Sequence, residues 1–372
     1  MIYLDNAATG GEKPAAVQNA VLAAMQACAN PGRSGHALSV AAGERVLACR
    51  RLLSDLFDGY GSERVVFTKN CTEALCLLLM GTLKKGDHVV TTCLEHNSVL
   101  RPLEYLRRTR GVSYDVAPLT DGRLLPEAVT ALVRPETRAV CVTTASNVTG
   151  ECPDLDAVRA ALPHRVLLFA DGAQGAGHLP VSMRGTGIDG LAIAGHKGMC
   201  AIQGAGALLF SERVLPEPLL FGGTGTESHS LSMPAFYPER LESGTLSYPA
   251  ICSLFEGALL VSSRRSGWAK RLIALTARVH EGLSSQKQWK AYFLPNACGI
   301  CSFRHAVLPS EEVAMRLDEA GIAVRGGLHC APLAHRALGT FPEGLVRASF
   351  SPVQGNAEAD ALLDALARIT SS

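Results

Sequence analysis

Net charge is the first thing this chain lacks. Its 35 Lys+Arg nearly cancel its 34 Asp+Glu over 372 residues, leaving +1, so no general attraction to nucleic acid or an anionic membrane follows and a small molecule is the expected partner. No apolar run reaches membrane-spanning length, and Met1-Ile2-Tyr3-Leu4-Asp5 lacks the basic start and apolar stretch of a signal peptide. Both readings predict a cytoplasmic protein. Internal repeats and low-complexity tracts are missing, which sets repeat architectures aside. Charged residues are only 19% of the chain against 47% hydrophobic, a balance that speaks against disorder and for a well-filled core. No GxxxxGK[ST] run is present, so there is no nucleotide P-loop. Cys298-Gly299-Ile300-Cys301 is a lone CxxC with no second CxxC or histidine pair to complete a metal site, and it reads as part of a buried strand, Ile300 to Phe303. The twelve cysteines are scattered through a large chain, which predicts reduced thiols.

What is present is α/β patterning over a length that favours two domains. Continuous apolar runs at Arg64 to Phe67, His88 to Thr91, Ala139 to Val142, Val166 to Phe169 and Gly206 to Phe210 predict strands buried on both faces. Between them lie helical patterns, Thr72 to Leu83, Val99 to Arg110 and Asp154 to Ala161. The expected result is a mostly parallel sheet. Phe221 to Tyr248, rich in Gly, Ser, Thr and Pro, predicts a long loop near a ligand or subunit boundary. A helix from Ala250 to Ser284 and then a strand, helix, strand series predict a smaller second domain.

The chemistry is concentrated in Ala194-Gly195-His196-Lys197-Gly198, read with Asp171-Gly172-Ala173-Gln174. A lysine amine forms Schiff bases with carbonyl cofactors, and an aspartate held apart from it keeps a pyridine nitrogen protonated; the pair points to pyridoxal phosphate (PLP). Glycines beside Lys197 let backbone and cofactor approach closely. Val65 to Leu75 reads as strand, polar turn and helix start, where free backbone amides and the Thr72 hydroxyl suit a phosphate; the plain alternative is that Thr72 only caps the helix. Asp171 ends a buried strand, where a carboxylate needs a partner, either a protonated ring nitrogen or the following turn. In Glu95-His96-Asn97-Ser98, His96 either lies over the cofactor ring and handles protons or caps the next helix. Arg325-Gly326-Gly327-Leu328-His329-Cys330 places a cysteine beside a histidine on a Gly-rich turn, a setting for a reactive thiolate. Arg347, inside a strand, needs an anionic partner if it points inward, and an α-carboxylate fits.

Taken together, and with Tyr3-Leu4-Asp5-Asn6-Ala7-Ala8-Thr9 and Asn30-Pro31-Gly32-Arg33, these motifs resemble the class V aminotransferase family, and within it the cysteine desulfurases and selenocysteine lyases of the NifS/SufS type. The resemblance implies the PLP fold type I: a large domain, 15–250, on a mostly parallel seven-stranded-type sheet, and a small α/β domain from 1–14 and 251–372. It implies a homodimer, an L-cysteine or selenocysteine substrate, and sulfur passed to Cys330 as a persulfide and on to an acceptor protein. By motif, Lys197 resembles the Schiff-base lysine and Asp171 the pyridine partner. Gln174 and Asn147 resemble the contacts to the ring hydroxyl, and His96 the stacking histidine. Cys71 through its amide, Thr72 and His196 resemble phosphate ligands, with Thr245 contributed across the dimer. Arg347 resembles the carboxylate clamp, and Arg33 and Asn147 are further substrate contacts. Ala194 stands where relatives often carry a serine, and Ser351 to Asn356 departs from the family pattern. Selenocysteine lyase, another PLP lyase or transaminase, and a sulfur-carrier or scaffold subunit are the alternatives.

Overall fold

The computed structural model describes residues 1–27 and 30–370. Its centre is a seven-stranded sheet in the order Val65–Thr68, Gly206–Phe210, Gly190–Ala194, Leu167–Asp171, Thr137–Thr143, His88–Thr92, Ser113–Ala117. Gly206–Phe210 runs antiparallel to both neighbours and every other pairing is parallel. The mostly parallel sheet expected from the apolar runs is therefore present. Two of its strands escape that reading for opposite reasons. Ser113–Ala117 is a half-buried edge strand carrying Tyr114 and Asp115, and Gly190–Ala194 is fully buried but small-residued, so neither shows a β-branched apolar run.

Helices cover both faces. Val46, Leu53 and Phe57 of the Ala37–Leu56 helix and its end pack with Val140, Leu168 and Ile193 on one side. Leu75, Leu78 and Leu79 of the Cys71–Thr82 helix pack with Cys141, Phe169 and Leu208 on the other. Burying a leucine side chain fully is worth roughly 1.5–3 kcal/mol, so these positions fix the sheet against its covering helices.

A separate core lies around the antiparallel sheet Val346–Ser349, Ile300–His305, Trp289–Ala291. The strand read from the lone CxxC is the middle one. Both chain ends contribute: Ile2–Tyr3 pairs in parallel with Ile322–Ala323, and Leu4 is buried with Leu362 and Leu366. The helix Tyr248–Ser284 joins the two bodies. Its first half buries Leu254 and Val261 in the main core, while its second half buries Leu272, Val279 and Leu283 in the other. The segment before it carries only a short 3-10 turn, Glu239–Leu241. None of the helices among the described residues is long and apolar enough to cross a membrane.

Candidate active site

All strands of the main sheet except Gly206–Phe210 point the same way, and the loops at their carboxyl ends meet in one cavity of ≈ 230 Å³. This is the edge where open α/β sheets place their ligands. Its lining includes Cys71, Thr72, His96, Asn147, Asp171, Gln174, His196, Lys197 and Arg347. Residues spread from 71 to 347 are thus brought together.

Asp171 is the last residue of its strand and buried. Its Oδ1 accepts from the Ala173 amide at 2.8 Å and from Cys71 Sγ at 3.4 Å; among the described residues Oδ2 makes no hydrogen bond. Lys197 follows the neighbouring strand, and Gly198 lies where an added Cβ would meet the Ala176 carbonyl at 2.5 Å. That crossing needs glycine. Burial lowers the Lys197 amine's pKa, Arg347 lowers it further and Asp171 opposes both. A lowered pKa favours the neutral, nucleophilic amine. Among the described residues the amine has no hydrogen bond.

The helix Cys71–Thr82 is capped by Asn70, whose side chain accepts from the Glu73 amide. Thr72 is therefore not the cap; its hydroxyl bonds to Ser98 Oγ at 2.8 Å and lines the cavity. His96 does cap its helix, Nδ1 accepting from the Ser98 amide at 3.1 Å, and it lines the cavity as well. Burial pulls its pKa down to about 4, with Asp171 opposing the shift. His196 is anchored from the N-terminal segment: its carbonyl accepts from the Gly10 amide at 2.8 Å and from Lys13 Nζ at 3.0 Å, and Nδ1 contacts Thr9 Oγ1 at 3.0 Å.

Arg347 points inward as read, but its anionic partner is internal. Nη2 bonds Asp5 Oδ1 at 2.9 Å and Nη1 bonds the Asn147 carbonyl at 3.0 Å. Nε is buried without a partner. The amide nitrogens of Asn147 and Gln174 are also engaged, with the His329 carbonyl at 2.7 Å and the Ala7 carbonyl at 2.9 Å.

Cys330 is exposed and stands beside the cavity, whose wall is completed by His329 and Arg325. His329 and Cys330 are consecutive non-glycine residues with positive φ, 49° and 57°, a conformation that costs roughly 1–2 kcal/mol per residue. Asn147 Nδ2 on the His329 carbonyl and the Asn97 amide on the Cys330 carbonyl, at 2.8 Å, hold it. The expected electrostatic help from His329 is not there. Its ring is buried, turned onto the Arg325 carbonyl at 3.2 Å, and its pKa falls to about 2 chiefly through burial, so it is neutral.

Two nominated residues lie elsewhere in the chain's own fold. Arg33 bonds the Gly244 carbonyl at 2.8 Å and lines a different cleft, and Thr245 lines a third. Sequence reading missed Asn70, Ser98 and Asp5. Asn70 had a signal, the Asn-x-x-Glu spacing of a helix start; Asp5, 342 positions from its partner, had no local one.

A sequence profile of the class-V aminotransferases matches residues 2–362. The chain is 34% identical over 362 residues to a probable cysteine desulfurase of Methanothermobacter thermautotrophicus, covering 94% of this chain and 89% of the relative. It is 28% identical to the Escherichia coli cysteine desulfurase CsdA, covering 99% and 93%. Among solved structures it superposes on the apo cysteine desulfurase of Thermococcus onnurineus NA1 with a TM-score of 0.92 and 30% identity over 99% of this chain and 94% of that one. An S-sulfonic acid form of E. coli CsdA gives 0.88 with 27% identity, covering 99% and 94%. With one profile matching residues 2–362, this chain belongs to the class-V aminotransferase family.

Proposed function

We propose that the chain is a PLP-dependent cysteine desulfurase, converting L-cysteine to L-alanine and taking the sulfur onto Cys330. The observation that carries the reading is the cavity that holds a lysine amine and a strand-end aspartate oxygen, both without a hydrogen bond among the described residues, and whose wall includes the loop leading to Cys330. The residues fit PLP. Oδ2 of Asp171 is free for a protonated ring nitrogen, the amides at the start of the Cys71–Thr82 helix and the Thr72 and His196 side chains surround a place for phosphate, and Asp171 is the only carboxylate lining the cavity among the described residues, Glu73 of the same helix turn lying outside it. Ala194 contributes no hydroxyl there.

When bound, PLP supplies an electron sink for negative charge at the substrate α-carbon. Lys197 would bind the cofactor carbonyl and serve as the base that carries the α-proton. Asp171 would keep the ring nitrogen protonated through Oδ2. His96, neutral at working pH and lining the cavity, would contact the cofactor ring. Arg347, which lines the cavity while paired with Asp5, would hold the substrate carboxylate. The Cys330 sulfur attacks the substrate sulfur, the C–S bond breaks, and Cys330 keeps a persulfide while the carbon skeleton gains protons and leaves as alanine. Atoms balance: cysteine plus one thiol gives alanine plus one persulfide. Thr245, outside its own chain's cavity, is assigned to the partner's phosphate in a homodimer, and the persulfide passes to an acceptor protein at the exposed Cys330. The test is spectroscopic. Wild type mixed with PLP should develop a Schiff-base absorbance band that Lys197→Ala lacks; a colourless wild type would overturn the reading.

A further inference from the structure

The Cys71 thiol has no part in the chemistry above, where only the Cys71 amide is used. Yet it is buried, lines the cavity, and its hydrogen bond runs to Asp171 Oδ1 at 3.4 Å. The same oxygen takes the Ala173 amide at 2.8 Å. Two donors converge on Oδ1 from different elements, one from the helix after Val65–Thr68 and one from the turn after Leu167–Asp171 itself. A carboxylate held by a single donor is free to rotate about its Cβ–Cγ bond; a second donor on the same oxygen fixes the carboxylate plane and leaves Oδ2 facing the cavity. Burial, and next the Asp171 charge, push the thiol well above its ordinary pKa. It therefore stays an S–H donor rather than a nucleophile. A plain apolar role, packing beside Ala74 and Leu75, does not account for a sulfur aimed at the one carboxylate of the cavity.

We infer that Cys71 is a positioning residue whose thiol orients Asp171, so that Oδ2 is presented to the cofactor's ring nitrogen. The inference rests on the PLP reading above. It concerns one hydrogen bond from a weak donor to a charged acceptor, so the expected effect is moderate.

Two measurements test it. In the purified full-length chain, the S–H stretching band lost on Cys71→Ala, isolated by infrared difference, should move to higher frequency when Asp171→Asn replaces the carboxylate by a weaker acceptor. This needs neither PLP nor turnover. Second, Cys71→Ala should hold PLP about fivefold less tightly and shift the pH titration of the Schiff-base absorbance, whereas Cys71→Ser, which keeps a donor, should stay within about twofold of wild type in both. An S–H band indifferent to Asp171→Asn, or a Cys71→Ala protein whose PLP affinity and titration match wild type, overturns the inference and leaves the PLP reading intact. A wild type that takes up no PLP overturns both.

Discussion

Glu95 shows how a single buried group sets a pH response. It is fully buried, with Oε1 accepting from Thr92 Oγ1 at 2.7 Å and from the Thr143 amide at 2.9 Å, while Oε2 has no partner. Burial raises its pKa to about 8, and the nearby Asp171 charge adds to the shift. The folded state therefore binds more protons than the unfolded state between about pH 4.5 and 8. This contribution to stability is complete below the unfolded value and is lost as pH rises through the folded one. Glu95→Gln keeps an acceptor for both bonds and removes the titration. Its urea midpoint should fall less than that of wild type between pH 6 and pH 8, and parallel profiles would contradict the assignment. At this scale the sequence motifs singled out Lys197 and Asp171, which the fold brings into one cavity. It was silent where a partner comes from far along the chain, as Asp5 does for Arg347 and Cys71 for Asp171. The helix-capping role read as the plain alternative for His96 coexists with its place in the cavity.

Strands were legible where burial came with large apolar side chains. Continuous apolar runs marked the inner strands, whereas the edge strand Ser113–Ala117 and the small-residue strand Gly190–Ala194 carried no such mark. The Cys71–Thr82 helix begins at Cys71 because Asn70 caps it. Asn70→Ala should cost about 1 kcal/mol of stability in urea unfolding, and Asn70→Asp much less. The long loop ending at Ser247 is pinned by Glu242. Its carboxylate accepts from the Phe67 amide at 2.6 Å and from both terminal nitrogens of Arg50, at 2.9 and 2.5 Å, with both side chains buried. Arg50 also bonds the Val65 carbonyl. Removing one member of such a pair leaves the other charge buried, which costs about 3–5 kcal/mol. Glu242→Ala should lower the urea midpoint accordingly, and a loss below about 1 kcal/mol would show that water replaces the carboxylate.

Across the whole molecule, five histidines, His96, His178, His196, His329 and His335, have pKa values pulled down to about 4, or about 2 for His329, with burial the largest cause in each. The unfolded chain binds more protons at these sites below about pH 6.5. Stability they leave intact above that pH is lost as pH falls, the opposite sign to Glu95, and five groups outweigh one. The melting temperature should therefore drop from pH 7 to pH 5, more steeply in Glu95→Gln than in wild type, and a flat profile would contradict buried neutral imidazoles. The two-core organisation follows from the same pattern of burial, since the Tyr248–Ser284 helix changes cores along its length. That helix was read from its sequence, whereas the cavity depends on contacts between the chain's two ends, such as Asp5 with Arg347. The central claim is that Lys197 and Cys330 act in one cavity on one substrate, and a product assay tests it most directly. Purified protein with PLP and L-cysteine should yield alanine, with sulfide released in the presence of a reducing thiol, and Cys330→Ala should lose sulfide release while still binding PLP. Undiminished sulfide from Cys330→Ala, or 2-oxo acid without sulfide from wild type, would contradict it.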